Sequence, residues 1–220
     1  MPPSVRAAVV TGGHTYHVPK FHELFRSLPG VDACIQHLDD YASSSDETLA
    51  SYDTVVFYFY PVKPTVPTNE GQEWFEGKPK SVLSKLGSTP QGIIVLHHAI
   101  LAWPEWDFWK KLVGIEDRKF TYDFDKQLRI EVASASHPIT KGLESWDMTD
   151  EAYGMKGAGE GSEILLTCMH PRNIPTIAWT RQFGKSRAFC YQSGHDPKTW
   201  ADPNFREVLR RGILWSAGKL

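Results

Sequence analysis

Short apolar runs rich in β-branched residues alternate along this chain with longer stretches whose apolar residues recur at helical spacing, and no segment repeats another. Val5 to Val10 is the first run, closed by Gly12-Gly13. Phe21, Leu24, Phe25 and Leu28 then fall at i, i+3, i+4 and i+7, one face of a helix that Pro29-Gly30 ends. Asp32 to Leu38, Thr54 to Tyr60 and Gly92 to Leu96 read as three further strands, each apolar enough to be covered on both sides. A helix is expected around Gln72 to Leu86, and the aromatic stretch Trp103 to Trp109 opens another. Leu128 to Ala133, Glu163 to Thr167, Thr176 to Thr180 and Arg187 to Tyr191 are short runs separated by turn residues, which favours hairpins over crossovers. The last helix has Pro203 in its first turn, Phe205, Val208, Leu209 and Ile213 on one face, and Gly218 after its end.

This alternation predicts an α/β fold: a mostly parallel central sheet with helices on both faces and a hairpin-rich addition between about residues 125 and 192. A length of 220 residues suits a single domain over 1–220. Apolar residues at 41% and charged residues at 23% are ordinary globular usage, so a sizeable core is expected rather than disorder. The net charge of -2, with Lys and Arg scattered, provides neither a basic stripe for nucleic acid nor a polybasic anchor for a membrane surface. The apolar run near the N-terminus is too short for a signal peptide or a membrane span, and a cytoplasmic protein is expected. Cys34, Cys168 and Cys190 are an odd number at wide spacings, so they are expected reduced, without a disulfide framework or a zinc knuckle.

Parallel sheets bind ligands beyond the carboxyl ends of their strands, and three such ends carry histidine. Gly12-Gly13-His14-Thr15-Tyr16-His17 follows the first strand, His97-His98 the fourth, and Ser193-Gly194-His195-Asp196 the Arg187 to Tyr191 run. Asp150-Glu151-Ala152-Tyr153 reads as a loop that can bring carboxylates to the same rim. His97, Glu151 and His195 are therefore the candidate catalytic residues and, equally, candidate ligands of a divalent metal such as Zn or Mn. His14, Tyr16, Tyr58, His98, Asp150, Tyr153 and Trp200 are candidate substrate contacts, and Tyr60 shares a face with Tyr58. Spacing does not choose between a metal site and proton abstraction beside a carbonyl. Plainer roles compete: Glu151 as a solvated loop carboxylate, His98 turned away from its neighbour His97, His137 as a turn residue before Pro138, and Trp103, Trp106 and Trp109 as core.

Gly13-His14, Leu96-His97, the Asp150-Glu151-x-Tyr153 box and the Gly194-His195 turn followed by Trp200 together resemble the trehalose-utilisation (ThuA-like) family. The resemblance extends through His137 to Leu143, Pro175 to Trp179 with Gly184-Lys185, and the closing Gly212 to Ala217 helix. It implies a flavodoxin-like, class I glutamine amidotransferase-like three-layer sandwich in which His97-His98 stands where a glutaminase carries its cysteine. No cysteine follows the fourth strand, so glutamine hydrolysis is not expected. What the resemblance implies instead is a role in carbohydrate catabolism on a small sugar or keto-sugar; as a separate expectation, a homo-oligomer is compatible with the sequence. The competing reading is a non-catalytic sugar-binding or regulatory protein on the same sheet.

Overall fold

The structure, a computed structural model, describes residues 4–61, 66–67 and 79–220. In chain order the described elements are β1 (Val5–Gly12), α1 (Val18–Arg26), β2 (Val31–His37), α2 (Leu38–Ser43), α3 (Asp46–Ala50), β3 (Thr54–Phe59), α4 (Pro79–Leu83) and β4 (Gly92–Leu96). A 3-10 turn over His97–Leu101 follows, then α5 (Asp107–Val113), β5 (Thr121–Val132), β6 (Trp146–Gly154), β7 (Ser162–Cys168), β8 (Thr176–Phe183), β9 (Ser186–Tyr191), α6 (Pro197–Ala201) and α7 (Pro203–Ser216). Residues 72–78 of the helix expected over Gln72 to Leu86 lie outside the described residues.

Among the described residues nine strands form one sheet in the order β2-β1-β3-β4-β9-β8-β7-β5-β6. The first five are mutually parallel, whereas every pairing from β9 to β6 is antiparallel. The sheet is thus mixed rather than mostly parallel. The reason is connection length: β8 and β9 are joined by a tight turn at Gly184-Lys185, and a short turn cannot return a chain parallel to itself.

Successive residues of the parallel strands face opposite sides, as pleating requires. Val5, Ala7, Val9, Val56, Tyr58, Ile94 and Leu96 pack with Phe21, Leu24 and Phe25 of α1 and Phe205, Val208, Leu209 and Ile213 of α7. Ala8, Val10, Val55, Phe57, Ile93 and Val95 pack instead with Tyr41 of α2, Leu83 of α4 and Trp109, Leu112 and Val113 of α5. Each fully buried side chain of this size contributes about 1.5–3 kcal/mol, so both faces are held without any disulfide, and all three cysteines are free. Trp103 and Trp109 are core, as expected, packing against Phe59. His137 is a turn residue whose Nδ1 accepts from the Ile139 amide. No described helix is long and apolar enough to cross a membrane.

Two differences from the sequence expectation matter for the site. The Asp150 to Tyr153 segment is not a loop but the second half of β6, the edge strand of the sheet. β5 begins at Thr121, seven residues before the apolar run that signals it, and a bulge interrupts its pairing between Asp123 and Lys126.

The turn after β1 needs glycine. Gly13 has φ +68, and a Cβ there would run into the backbone carbonyl oxygen of Tyr60. Gly13→Ala is expected to destabilise the protein by about 2–4 kcal/mol, combining positive-φ strain with displaced backbone. Urea unfolding measures this, and a loss under about 1 kcal/mol would show that the turn yields.

Candidate active site

The expected residues arrive at one place from four directions. β4 ends at Leu96, and His97 takes φ +53, a left-handed conformation that a side chain adopts only when its surroundings enforce it. That bend starts the 3-10 turn, so His97 and His98 do not alternate as strand residues, and both are buried. β9 delivers Gln192 to His195 through Gly194, whose φ is +131. β6 passes back over these strand ends: Gln192 Nε2 donates to the Glu151 carbonyl at 3.0 Å.

His97 Nε2, Glu151 Oε2 and His195 Nδ1 form a triangle with sides of 3.1, 3.1 and 3.3 Å. His97 Nδ1 lies 2.8 Å from the Gln192 carbonyl oxygen, which only accepts, so Nδ1 carries the proton. The Nε2 of a neutral His97 is then a lone pair, and Tyr153 Oη donates to it at 3.0 Å. A proton on His195 Nδ1 faces both the Glu151 carboxylate and His97 Nε2, which leaves His195 Nε2 to exchange protons with a ligand.

The electrostatics follow from this packing. Burial opposes the Glu151 charge, but the adjoining His195 and His97 imidazoles outweigh it and bring the carboxyl down to about 2. Burial likewise opposes charge on His195, and Glu151 more than offsets it, so the imidazole titrates above its ordinary value. His98 moves the other way, well below its ordinary value, through burial and then the neighbouring His97, His14 and His195. His14, stacked on His98 at 4.6 Å, is lowered chiefly by burial. Burial and then the Glu151 carboxylate push the Tyr153 phenol well up, so it stays protonated as a donor.

The remaining candidates divide. His14, His98, Glu151 and Tyr153 line a cavity of about 240 Å³ together with Tyr60, Leu101, Phe120, Tyr122 and Phe124. Asp150 does not point there. Its buried carboxylate accepts from Gly194 N, His195 N, Glu151 N and Thr199 Oγ1 at 2.8–3.2 Å, which pins the His195 turn to β6. Tyr58 is also behind the site, its hydroxyl donating to the Gly194 and His195 carbonyls and its ring 4.4 Å from His98. Trp200 donates from Nε1 to the Gly194 carbonyl and is 2% exposed, which makes it support rather than a wall. Tyr16 donates to Thr11 Oγ1 and packs on Phe21 and Tyr58. Phe120, Tyr122 and Phe124 are additions that the sequence expectation lacks. Their period-two aromatic spacing is a strand signal, obscured by Asp123, Asp125 and Lys126 between and after them.

The family model described as ThuA, trehalose utilisation, matches residues 6–216. The chain belongs to the ThuA family. Among solved structures it is similar to a protein described as ThuA-like from Parabacteroides merdae, with a TM-score of 0.75 at 18% identity over 99% of this chain and 91% of that one. A ThuA-like protein from Bacteroides uniformis gives 0.71 at 17% identity, covering 97% and 91%. A protein from Thermoplasma acidophilum described as part of a GMP synthase gives 0.56 at 13% identity, covering 98% and 95%, a likeness of fold alone. No curated protein matches the chain in sequence. This ThuA family chain has no thiol in the site: Cys34 is on β2, Cys168 and Cys190 sit in the two packing cores, and burial pushes the Cys190 thiol up to about 12.

The His195–Glu151 pair makes the pH dependence of stability two-sided. His195 is raised, so its contribution is full below its ordinary 6.5 and is lost as pH rises through the higher folded value. Glu151 is lowered, so its contribution is present above its ordinary 4.5 and is lost as pH falls toward about 2. Replacing Glu151 with Gln is expected to lower the His195 pKa in an NMR titration. An unchanged His195 titration would mean that the carboxylate does not hold its proton.

Proposed function

We propose that this chain is a sugar-processing enzyme of carbohydrate catabolism that acts on a small sugar or keto-sugar by acid/base chemistry. The family's link to trehalose utilisation supports the substrate class. The observation that carries the reaction class is the triangle of His97 Nε2, Glu151 Oε2 and His195 Nδ1 at the edge of a cavity. His195, whose pKa Glu151 raises, is when protonated the general acid toward a carbonyl or leaving oxygen and, once deprotonated, the base. Glu151 stores the balancing charge, and Asp150 is a positioning residue that fixes the His195 turn. The fold is proposed as the amidotransferase-like sandwich in one domain, with the glutaminase chemistry lost because His97 takes the place of the thiol.

The same three atoms fit a divalent cation. Ligands about 2.1 Å from a metal stand roughly 3–3.4 Å apart, which is the spacing here, and the N,N,O set suits Zn or Mn. His97 is already oriented for ligation by its Nδ1 bond to Gln192, the outer contact that metal-binding histidines commonly make. His97, Glu151 and His195 would hold the ion, which would supply polarisation of a substrate oxygen.

His195→Ala and Glu151→Gln are each expected to reduce turnover of a keto-sugar by at least about 10²-fold, as loss of a general acid or its partner does. The isosteric Gln is the informative change at position 151, because the carboxylate is buried and Ala would leave a hole. Metal content measured on the purified protein should fall with His97→Ala/His195→Ala if the triangle holds an ion. Full turnover by both single variants would transfer the site to a binding role.

A further inference from the structure

Beside the triangle stands a row of aromatic side chains with no part in the acid/base chemistry. Tyr122 and Phe124, two residues apart on β5, share one face, and their ring centroids are 5.3 Å apart. They are 58% and 52% exposed, an arrangement that leaves large apolar area in water on a strand whose neighbours could have been polar. The rings are aimed by the bulge between Asp123 and Lys126, where Asp125 adopts φ +53. Lys198 on α6 pairs with Asp125 at 2.5 Å and ties that bulge to the helix following the His195 turn. As a result Phe124 lies 5.1 Å from the His195 ring, and Phe120 continues the row to within 5.7 Å of Tyr153.

The cavity has two kinds of lining: the rings of Phe120, Tyr122, Phe124 and Tyr60 with the Leu101 side chain, and the polar groups of Glu151, Tyr153, His14 and His98. His98 is 4% exposed, and neither ring nitrogen has a partner among the described residues. A buried imidazole without partners is costly, and a ligand hydroxyl is a group that would satisfy it. A pyranose ring has the matching division: an apolar face of C–H bonds and a rim of hydroxyls. Its C–H face suits the negative face of an aromatic ring. At about 240 Å³ the cavity is below the roughly 300 Å³ at which drug-sized sites begin, so it takes one ring rather than two.

We propose that Tyr122 and Phe124 form a carbohydrate-stacking subsite that seats one pyranose ring with its hydroxyl rim toward Glu151 and His98. This names the substrate class of the site described above and rests on that reading. His98 and His14 line the cavity with ring nitrogens that can accept from or donate to hydroxyls. The subsite adds what the triangle lacks, a surface that fixes the orientation of a ring whose hydroxyls are otherwise alike.

The test is saturation-transfer NMR on the full chain with methyl glucopyranoside, galactopyranoside and mannopyranoside, and with sorbitol as an open-chain polyol. Saturation is expected at ring C–H protons of at least one pyranoside and not on sorbitol. Tyr122→Ala and Phe124→Ala should each weaken that binding by about three- to tenfold, while Met169→Ala, exposed outside the cavity, should not. Because both rings are half exposed, the variants are expected to fold, and thermal melting checks this. Equal saturation of sorbitol, no saturation of any pyranoside, or binding indifferent to both rings would overturn the proposal. A change of sedimentation without a change of sugar binding would make the rings a protein interface and overturn it as well. Ring-dependent binding without turnover of any keto-sugar would remove only the catalytic reading, whereas turnover with a KM indifferent to both rings would remove only this one.

Discussion

Three atoms that each carry a lone pair when unprotonated, His97 Nε2, Glu151 Oε2 and His195 Nδ1, are held within 3.3 Å of one another, the first two on buried side chains. Such a triangle is repulsive unless a positive charge sits inside it. A proton on His195 Nδ1 meets that need, and a divalent cation in its place would meet it too. The surrounding structure removes the ways in which the three atoms could relax apart. Gln192 fixes one histidine through Nδ1 and β6 through the Glu151 carbonyl. Asp150 fixes the other histidine through two backbone amides of its turn. The positive φ at His97 is the local strain that this convergence imposes, whereas Gly194 takes φ +131 as only glycine readily can.

The mixed sheet follows from the same requirement. Parallel strands alone place their ends on one rim, which explains His14, His97 and His195 but supplies no carboxylate between them. β6, at the far edge, brings Glu151 back across that rim through the antiparallel chain of β8, β7 and β5. A carboxylate on a strand is held more rigidly than one on a loop: the ladder to β5 fixes Asp150 and Ala152 on either side of Glu151. The cost of burying Asp150 beside it is offset by four donors, including the Thr199 hydroxyl on α6.

Much of this is legible in the sequence where apolar runs end in glycine or histidine. The four leading strands, α1, α7 and the three histidine-bearing ends all carry such signals. β6 is hidden because its inward positions, Trp146, Met148, Asp150 and Ala152, include a carboxylate, and an acidic residue on the buried register mimics a loop. The start of β5 is hidden behind Asp123, Asp125 and Lys126, and the aromatic wall with it. His98 reaches the cavity wall because strand alternation does not continue past Leu96, where the left-handed bend at His97 ends it. The helix α3 has a signal in Ser45, whose hydroxyl caps the Thr48 amide, but five residues are too few for a periodic pattern.

Four imidazoles crowd the site, and their environments push them in different directions. Stacking buries His98 between His14 and Tyr58, where a charge would be poorly solvated and close to its neighbours. His195 alone combines partial exposure with a directly bonded carboxylate, and its pKa rises. Charge is thereby concentrated on the histidine that borders both Glu151 and the aromatic wall, while the wall histidines stay uncharged. Groups of the same type separated in this way divide the work of proton transfer and binding. In the proposed reaction a proton lost from His195 Nε2 leaves Nδ1–H bonded to Glu151, so the triangle keeps its central proton throughout the transfer.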